Sequence, residues 1–522
     1  MEIHRNIVKK HGLKIFVIIM LAWFTGAAAD ASNLDIIGGT LLETLTTNLN
    51  GSGVRVAQPE AGAPVFEVNP GAVGLPASLF TYITAAGTTN SFPNALGSES
   101  GHADTVASFF YGAGTGVATN VGHVDNYDAN YFYSPFITTT LPISARIVNQ
   151  SFSFGTLTVS QQQQVDSAYD NYAAQYNTFF VSAVANGGQV TAPGTSYNGI
   201  GVGAYGGASS TGPTIDNGRA KPDITAPEQV TSYSTAQVSG GAAVLLQAGL
   251  RGDGGSDTNS ATDTRMLKAL LLNGAVKPAD WIHTNSSPLD SVYGAGIMNV
   301  FNSYKQLSGG KHAFIATSSV LAGNAHPPTG ASGNISSLQG WDFNTLASTA
   351  VSDAINHYYF NVTNSAGNAA FTATATLVWN RQLNQSGINN LDLFLYNVSS
   401  GALISASTSA VDNVEHIFLT KMPPGRYDLQ VLKHGGTTVS AGETYALAYE
   451  FFTMPLGIAK AGTNAALTWP VYPAGFVLES TASLNPPVTW STVKVTPVLT
   501  NNQNRVEVND ASGNQFFRLR RP

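Results

Sequence analysis

Between about residue 30 and residue 310, short apolar runs alternate with longer helix-like stretches, and this alternation constrains the fold more than any other feature of the chain. The runs include GVRVAQ, ARIVNQSF, FFVSAVA and IGVGAY; the stretches between them include SQQQQVDSAYDNYAAQY and VSGGAAVLLQAGL. Apolar strands separated by helices predict an α/β architecture, a doubly wound, mostly parallel sheet covered on both faces. Reactive groups in such sheets gather on loops at the carboxyl ends of the strands. Beyond about residue 310 the helical period disappears. HYYFNVT, FTATATLVW, LDLFLYN, EHIFLT, YDLQVLK and TYALAYEFF alternate apolar and polar positions between Gly, Pro and Asn turns, the pattern of all-β C-terminal domains.

A chain of 522 residues is too long for one ordinary core. The expected division is residues 1–29, 30–310 (α/β), 311–455 (a β-sandwich) and 456–522 (a small β module carrying AALTWP, GFVLES, NRVEVN and QFFRLRRP). Basic residues His4, Arg5, Lys9, Lys10 and Lys14 precede the apolar run IFVIIMLAWF and the small residues Ala27, Ala28 and Ala29, the layout of a cleaved secretory signal peptide. A secreted, periplasmic or cell-surface location is therefore expected, with no membrane span in the mature chain and a monomeric state. Only 11% of residues are charged and the net charge is −7, without a dense basic run in the mature part, so nucleic acid is not an expected partner. The absence of cysteine excludes a thiol nucleophile and thiolate metal sites, and leaves stability to core packing.

Four segments carry candidate chemistry. GVRVAQPEAG puts Glu60 just past an apolar strand, and GHADTVASFF puts His102 at the start of a helix. VSAVANGG puts Asn186 after a buried strand, and TSYSTAQVSGGAAVLL puts Ser232 where a loop runs into a helix. A hydroxyl nucleophile needs a base within hydrogen-bond reach, an acid that orients the base, and donors for the oxyanion. The four residues supply these in the chain order acid, base, donor, nucleophile. Each also has a plain structural alternative: Ser232 as a helix cap, Asn186 as a turn residue, His102 as a structural or exposed imidazole, Glu60 as a surface glutamate after a strand. Ser234 is the second choice for nucleophile and Asp104 for acid, while His123 is read as structural.

These blocks, in this order, resemble the subtilisin-like serine peptidases over roughly residues 30–305. GPTIDNGRAKPDITAP, PGTSYNGIGVGAY and VYGAGIMNVFNSYKQL are similar to further landmarks of that family. The resemblance implies a serine endopeptidase acting on polypeptide substrates through an acyl-enzyme, with Ser232 as nucleophile, His102 as base and Asn186 as oxyanion donor. It also implies that ARIVNQSFSFG and residues 183–185 border the bound peptide as an added strand. No cofactor is required for that chemistry; structural calcium is the one ion to look for. The chain departs from the pattern at Glu60, where the family has aspartate, at Val230, where it has glycine, and at Ala236, where it has proline. Those departures keep open a second reading, a weak or inactive subtilisin-like scaffold used for binding, and a third, a surface protein whose β modules matter most. Sedolisins pair a glutamate and an aspartate with serine but lack the histidine that His102 supplies.

The β region resembles modules found behind secreted peptidases, and the terminal segment suggests anchoring or display. Asp392, Asp412 and Glu415 have oxygens of the kind calcium takes, and are read here as solvated turn residues.

Overall fold

The computed structural model describes residues 32–363, 370–436, 439–509 and 514–521. The segment read as a signal peptide lies outside the described residues. Eight strands form the main sheet: β1 (Arg55–Glu60), β2 (Phe80–Thr84), β3 (Gly87–Thr89), β4 (His123–Asp128), β5 (Ile147–Gln150), β6 (Phe179–Ala183), β7 (Ile200–Tyr205) and β8 (Ile224–Pro227). Their order is β8-β7-β6-β5-β1-β4-β2-β3. All neighbours are parallel except the edge hairpin β2–β3.

The near-continuous apolar runs follow from burial on both faces. Successive residues point to opposite sides of a strand, so Val56, Ile147 and Phe179 enter one core while Ala57, Val148 and Phe180 enter another. The first core receives helices α1 (Gly101–Phe110), α3 (Thr231–Arg251), α4 (Thr264–Gly274) and α5 (Val300–Ser308); the second receives α2 (Val159–Tyr176) through Tyr169 and Tyr172. Helix α3 is buried almost throughout and approaches its neighbours closely. A Cβ on Gly240 would lie 2.5 Å from Val117 Cβ, which explains a glycine in mid-helix despite its low propensity.

Chain order reverses between β1 and β5, which are adjacent in the sheet although β2 and β4 lie on the far side of β1. Open α/β sheets leave a crevice outside the carboxyl ends at such a switch point. Glu60 ends β1, and Ser151 follows β5 directly.

Residues 316–452 form two antiparallel sheets, one of five strands and one of four, facing each other across a core that includes Tyr358, Leu377, Leu393, Leu429 and Leu447. This sandwich is not an appended bead. Trp341, Val378, Val414, Ala446 and Ala448 belong to the same hydrophobic cluster as the α/β domain. Polar bonds cross the junction too. Asn273 Oδ1 accepts the hydroxyls of Thr374 and Thr376 at 2.9 and 3.0 Å, and Asn198 donates to the Arg381 carbonyl at 2.9 Å while accepting its N–H at 2.8 Å. Beyond Phe452, sheets of four and three short strands share a small core of Leu467, Trp469, Leu478 and Val506.

The reading of Asp392, Asp412 and Glu415 as solvated turn residues is corrected by their burial. Asp412 accepts the Ala220 N–H across the domain junction at 2.8 Å. Glu415 takes the Ser407 hydroxyl and, at 2.6 Å, the Ser409 N–H. Asp392 pairs with His434 Nε2 at 2.8 Å. Asp412 is thus buried at the domain junction, whereas Asp392 and Glu415 are buried against partners within the sandwich. Among the described residues no group of three or more His, Asp and Glu side chains is arranged to hold a metal ion, and no helix is long and apolar enough to cross a membrane.

Candidate active site

Polar residues in a buried strand need partners, and β1 contains two, Gln58 and Glu60, both almost inaccessible. The two-residue spacing places them on one face. Gln58 Nε2 donates to Glu60 Oε1 at 2.9 Å and to the Ala103 carbonyl at 3.0 Å, while Gln58 Oε1 accepts the Tyr111 hydroxyl at 2.6 Å. One carboxylate oxygen is thus held by a side chain that is itself held at both ends. The other, Oε2, lies 2.9 Å from His102 Nδ1. The longer glutamate therefore reaches the imidazole from a strand end.

His102 is the second residue of α1, whose cap Ser100 accepts the Ala103 N–H at 3.3 Å. Its ring is 42% exposed, so one edge faces Glu60 and the rest faces the crevice. The Glu60 hydrogen bond, against a smaller opposing effect of burial, raises the imidazole above its ordinary value.

Ser232 is the second residue of α3 and 8% exposed. Val230 has no side-chain oxygen to cap the helix; Asn186 does so instead, its Oδ1 accepting the Thr231 N–H at 2.8 Å and the Thr231 hydroxyl at 2.7 Å. Among the described residues no acceptor takes the Ser232 N–H. The helix start therefore presents one free amide beside the serine, and Asn186, with its oxygen occupied, has its Nδ2 available. Ala236, fully buried within α3, continues the helix where proline would remove an N–H.

The Ser232 hydroxyl donates to the Ser151 carbonyl at a long 3.3 Å, and Ser151 Oγ donates to the Ser232 carbonyl at 2.7 Å. Among the described residues no hydrogen bond joins Ser232 to His102. The two are neighbours through Tyr233, whose ring centroid is 6.2 Å from that of His102. Glu60 and His102 are thus joined directly, Asn186 and Ser232 share one helix start, and the link between the pairs is open in this state. The alternatives fall to structural duties: Ser234 is buried and donates to the Ala226 carbonyl at 2.8 Å, and Asp104 accepts the Asn69 N–H at 2.7 Å. His123 Nε2 is 2.8 Å from Thr81 Oγ1, a packing role as expected. Sequence reasoning missed Gln58 and Ser151. The only signal for Gln58 was a glutamine two positions before the glutamate in an apolar strand.

Asp104 has a titration of its own. Burial first, then the nearby carboxylates Glu99 and Glu60, push its carboxyl up to about 6 against the pull of the Asn69 N–H. A carboxyl raised in this way contributes stability that is complete below about pH 4 and is lost as pH rises through about 6. Asp104→Asn keeps an acceptor for Asn69 and removes the charge. Calorimetry is expected to give it a higher Tm than wild type at pH 7.5, with the difference closing by pH 4.5.

A doubly wound, mostly parallel sheet followed by antiparallel β sheets is the subtilisin-like α/β class of fold, and its crevice holds a buried carboxylate paired to an imidazole, beside a serine at a helix start. The sequence model of the Subtilase family matches residues 83–341. This region is thus a domain of the subtilase, or subtilisin-like, family. The matched region contains His102, Asn186 and Ser232 and begins after Glu60. No curated protein matches the sequence. Among solved structures, tripeptidyl peptidase 2 is 11% identical with a TM-score of 0.30, over 73% of this chain and 43% of that one. This chain thus spans less than half the length of that neighbour. The adhesin domain of Epf from Streptococcus pyogenes is 11% identical with a TM-score of 0.15, over 32% of this chain and 64% of that one. The enzymatically active domain of bacteriophage CBA120 tailspike protein 4 is 10% identical with a TM-score of 0.17, over 26% and 19%.

Proposed function

We propose that the chain is an exported serine endopeptidase that cleaves polypeptides through an acyl-enzyme, with Ser232 as nucleophile, His102 as general base, Glu60 as orienting acid and Asn186 as oxyanion donor. The observation that carries this reading is the 2.9 Å pairing of buried Glu60 with His102 Nδ1 at the carboxyl edge of the sheet. Glu60 holds the Nδ1 proton, which leaves Nε2 as the acceptor. Ser232 Oγ turns from the Ser151 carbonyl, passes its proton to Nε2 and bonds to the substrate carbonyl carbon. The resulting oxyanion accepts from the Ser232 N–H and Asn186 Nδ2, at the positive end of α3. Collapse breaks the C–N bond as the imidazolium returns its proton to the leaving amine, and water then repeats the sequence on the ester.

A cavity of about 320 Å³ beside Asn186 is lined by Ser153, Leu157, Gln162, Gly187, Val190 and Ile215, among others, with no charged side chain in its wall. It suits an uncharged substrate side chain next to the scissile bond. The sandwich and last module are read as stabilising and display elements of the exported enzyme.

The test is labelling of the purified protein with a fluorophosphonate probe near pH 8, with the adduct located by mass spectrometry. A single adduct on Ser232 is expected. Folded protein that takes no label at any pH would leave the inactive binding scaffold as the better reading.

A further inference from the structure

Where the α/β domain, the sandwich and the last module meet, a cavity of about 530 Å³ opens, walled by Lys277, Trp281 and His283 of the first, Phe418 and Phe452 of the second, and Arg521 with Phe476 of the third. It shares no wall residue with the cavity beside Asn186. Its aromatic walls are ordinary for a small-molecule site; its charges are not. Lys277 is 4% exposed, and its ammonium has a single long contact, 3.4 Å to the Ala275 carbonyl. It otherwise lies over aromatic rings, 5.2 Å from Trp281 and 5.4 Å from Phe418. The Arg521 guanidinium lies 5.2 Å from both Phe452 and Phe476, and its Nε is buried without a partner. His283 Nδ1 is buried and unpartnered, as is Nε2 of the adjoining His416, whose ring is 6.4 Å from that of His283.

Among the described residues no carboxylate stands in the wall. Asp290 influences His283 and Glu450 influences Arg521 from outside it. Burial, with the neighbouring Arg521 charge, holds the Lys277 ammonium well below its ordinary value. A buried cation without a counter-ion is costly, and aromatic faces compensate it only in part. Lys277 has no carboxylate partner among the described residues, and Arg521 meets Glu450 only from outside the wall; sharing one aromatic cavity with an unfilled His283 nitrogen, the two cations suit an added anion.

We propose that this junction cavity is a binding site for an organic carboxylate with an aromatic or branched apolar body, its carboxylate between Lys277 and Arg521 and its body against Trp281, Phe418 and Phe452. Both cations donate charge-assisted hydrogen bonds to the carboxylate, which has no equivalent partner elsewhere in the cavity. The site is independent of the peptidase reading and does not use its residues.

Isothermal titration of the full chain with N-acetyl-L-phenylalanine, phenylacetate and N-acetyl-L-phenylalaninamide tests this. Saturable binding of an acid, with the isosteric amide weaker by about tenfold or more, is expected. A preference for N-acetyl-L-phenylalanine identifies a peptide C-terminus as the natural ligand form, and a preference for phenylacetate identifies a free aromatic acid. Lys277→Met is expected to abolish acid binding, to keep the circular dichroism spectrum, and to raise the unliganded Tm by relieving the unpaired charge. Arg521→Gln, on the opposite wall, is expected to weaken acid binding likewise and serves if Lys277→Met does not fold. Equal binding of acid and amide, no binding at millimolar acid, or unchanged acid binding in a folded variant overturns the proposal.

Discussion

Ser232→Ala is expected to reduce kcat on a peptide substrate by about 10⁶-fold, leaving only the residual rate that oxyanion donors and binding supply. The loss should fall on kcat rather than KM, because the hydroxyl forms a bond only along the reaction path. Folding should be spared: the Ser232 hydroxyl makes one long bond, 3.3 Å to the Ser151 carbonyl, whereas the stronger 2.7 Å bond runs from Ser151 to the Ser232 backbone and survives the substitution. Unchanged circular dichroism and Tm beside lost turnover would identify the residue as a nucleophile. A helix-capping role would give the reverse, lower stability with activity retained. Retained turnover in Ser232→Ala would send the search for a nucleophile elsewhere on the carboxyl edge.

Glu60→Gln is expected to lower kcat/KM by about 10⁴-fold, because an amide at the Nδ1 position no longer enforces the tautomer with Nε2 free. The pH profile separates this orienting role from a structural one. In wild type the Glu60 hydrogen bond raises the His102 pKa, so the ascending limb of kcat/KM lies above about pH 6.5, the ordinary histidine value. Removing the carboxylate removes that stabilisation of the imidazolium, and the limb should move to lower pH while the plateau falls. Glu60→Asp restores the family's residue type but shortens the side chain by a methylene, more than an ångström. With Gln58 still bonded to Ala103 and Tyr111, the pocket remains built for the longer acid. Partial activity with a limb nearer that of wild type is expected.

The fold was legible because its strands and helices form local blocks whose order along the chain carries information, and the four candidate site residues were named from the same blocks. A strand running into PE, a helix opening GHAD, a turn ANGG and a helix opening TSYS are readable without knowing any contact. What was not legible depends on pairing between distant segments. Gln58 reads as an ordinary polar residue until Ala103 and Tyr111 are brought against it. Ser151 gains its place only when α3, 81 residues later, docks on the end of β5. Asp412 sits beside Ser409 and Asn413, the composition of a surface turn, and it is buried because the Ala220 segment of the α/β domain packs on it. Glu60 departs from the family's aspartate in the sequence, and in the structure a strand that ends at the residue itself brings its carboxylate to 2.9 Å from His102 Nδ1.

The shared core between α4 and the sandwich governs the order in which the molecule can be made. Helix α4 ends at Gly274, yet it packs on strands Phe371–Trp379 and Gly442–Phe452. At ordinary synthesis rates the second strand follows the helix by on the order of ten seconds. Throughout that interval the α/β half carries an uncovered apolar face and the buried Asn273 oxygen lacks both threonine hydroxyls. The nascent chain is thus held back from a finished α/β core until its β half emerges, and a chain interrupted near residue 310 would be left with that apolar face exposed.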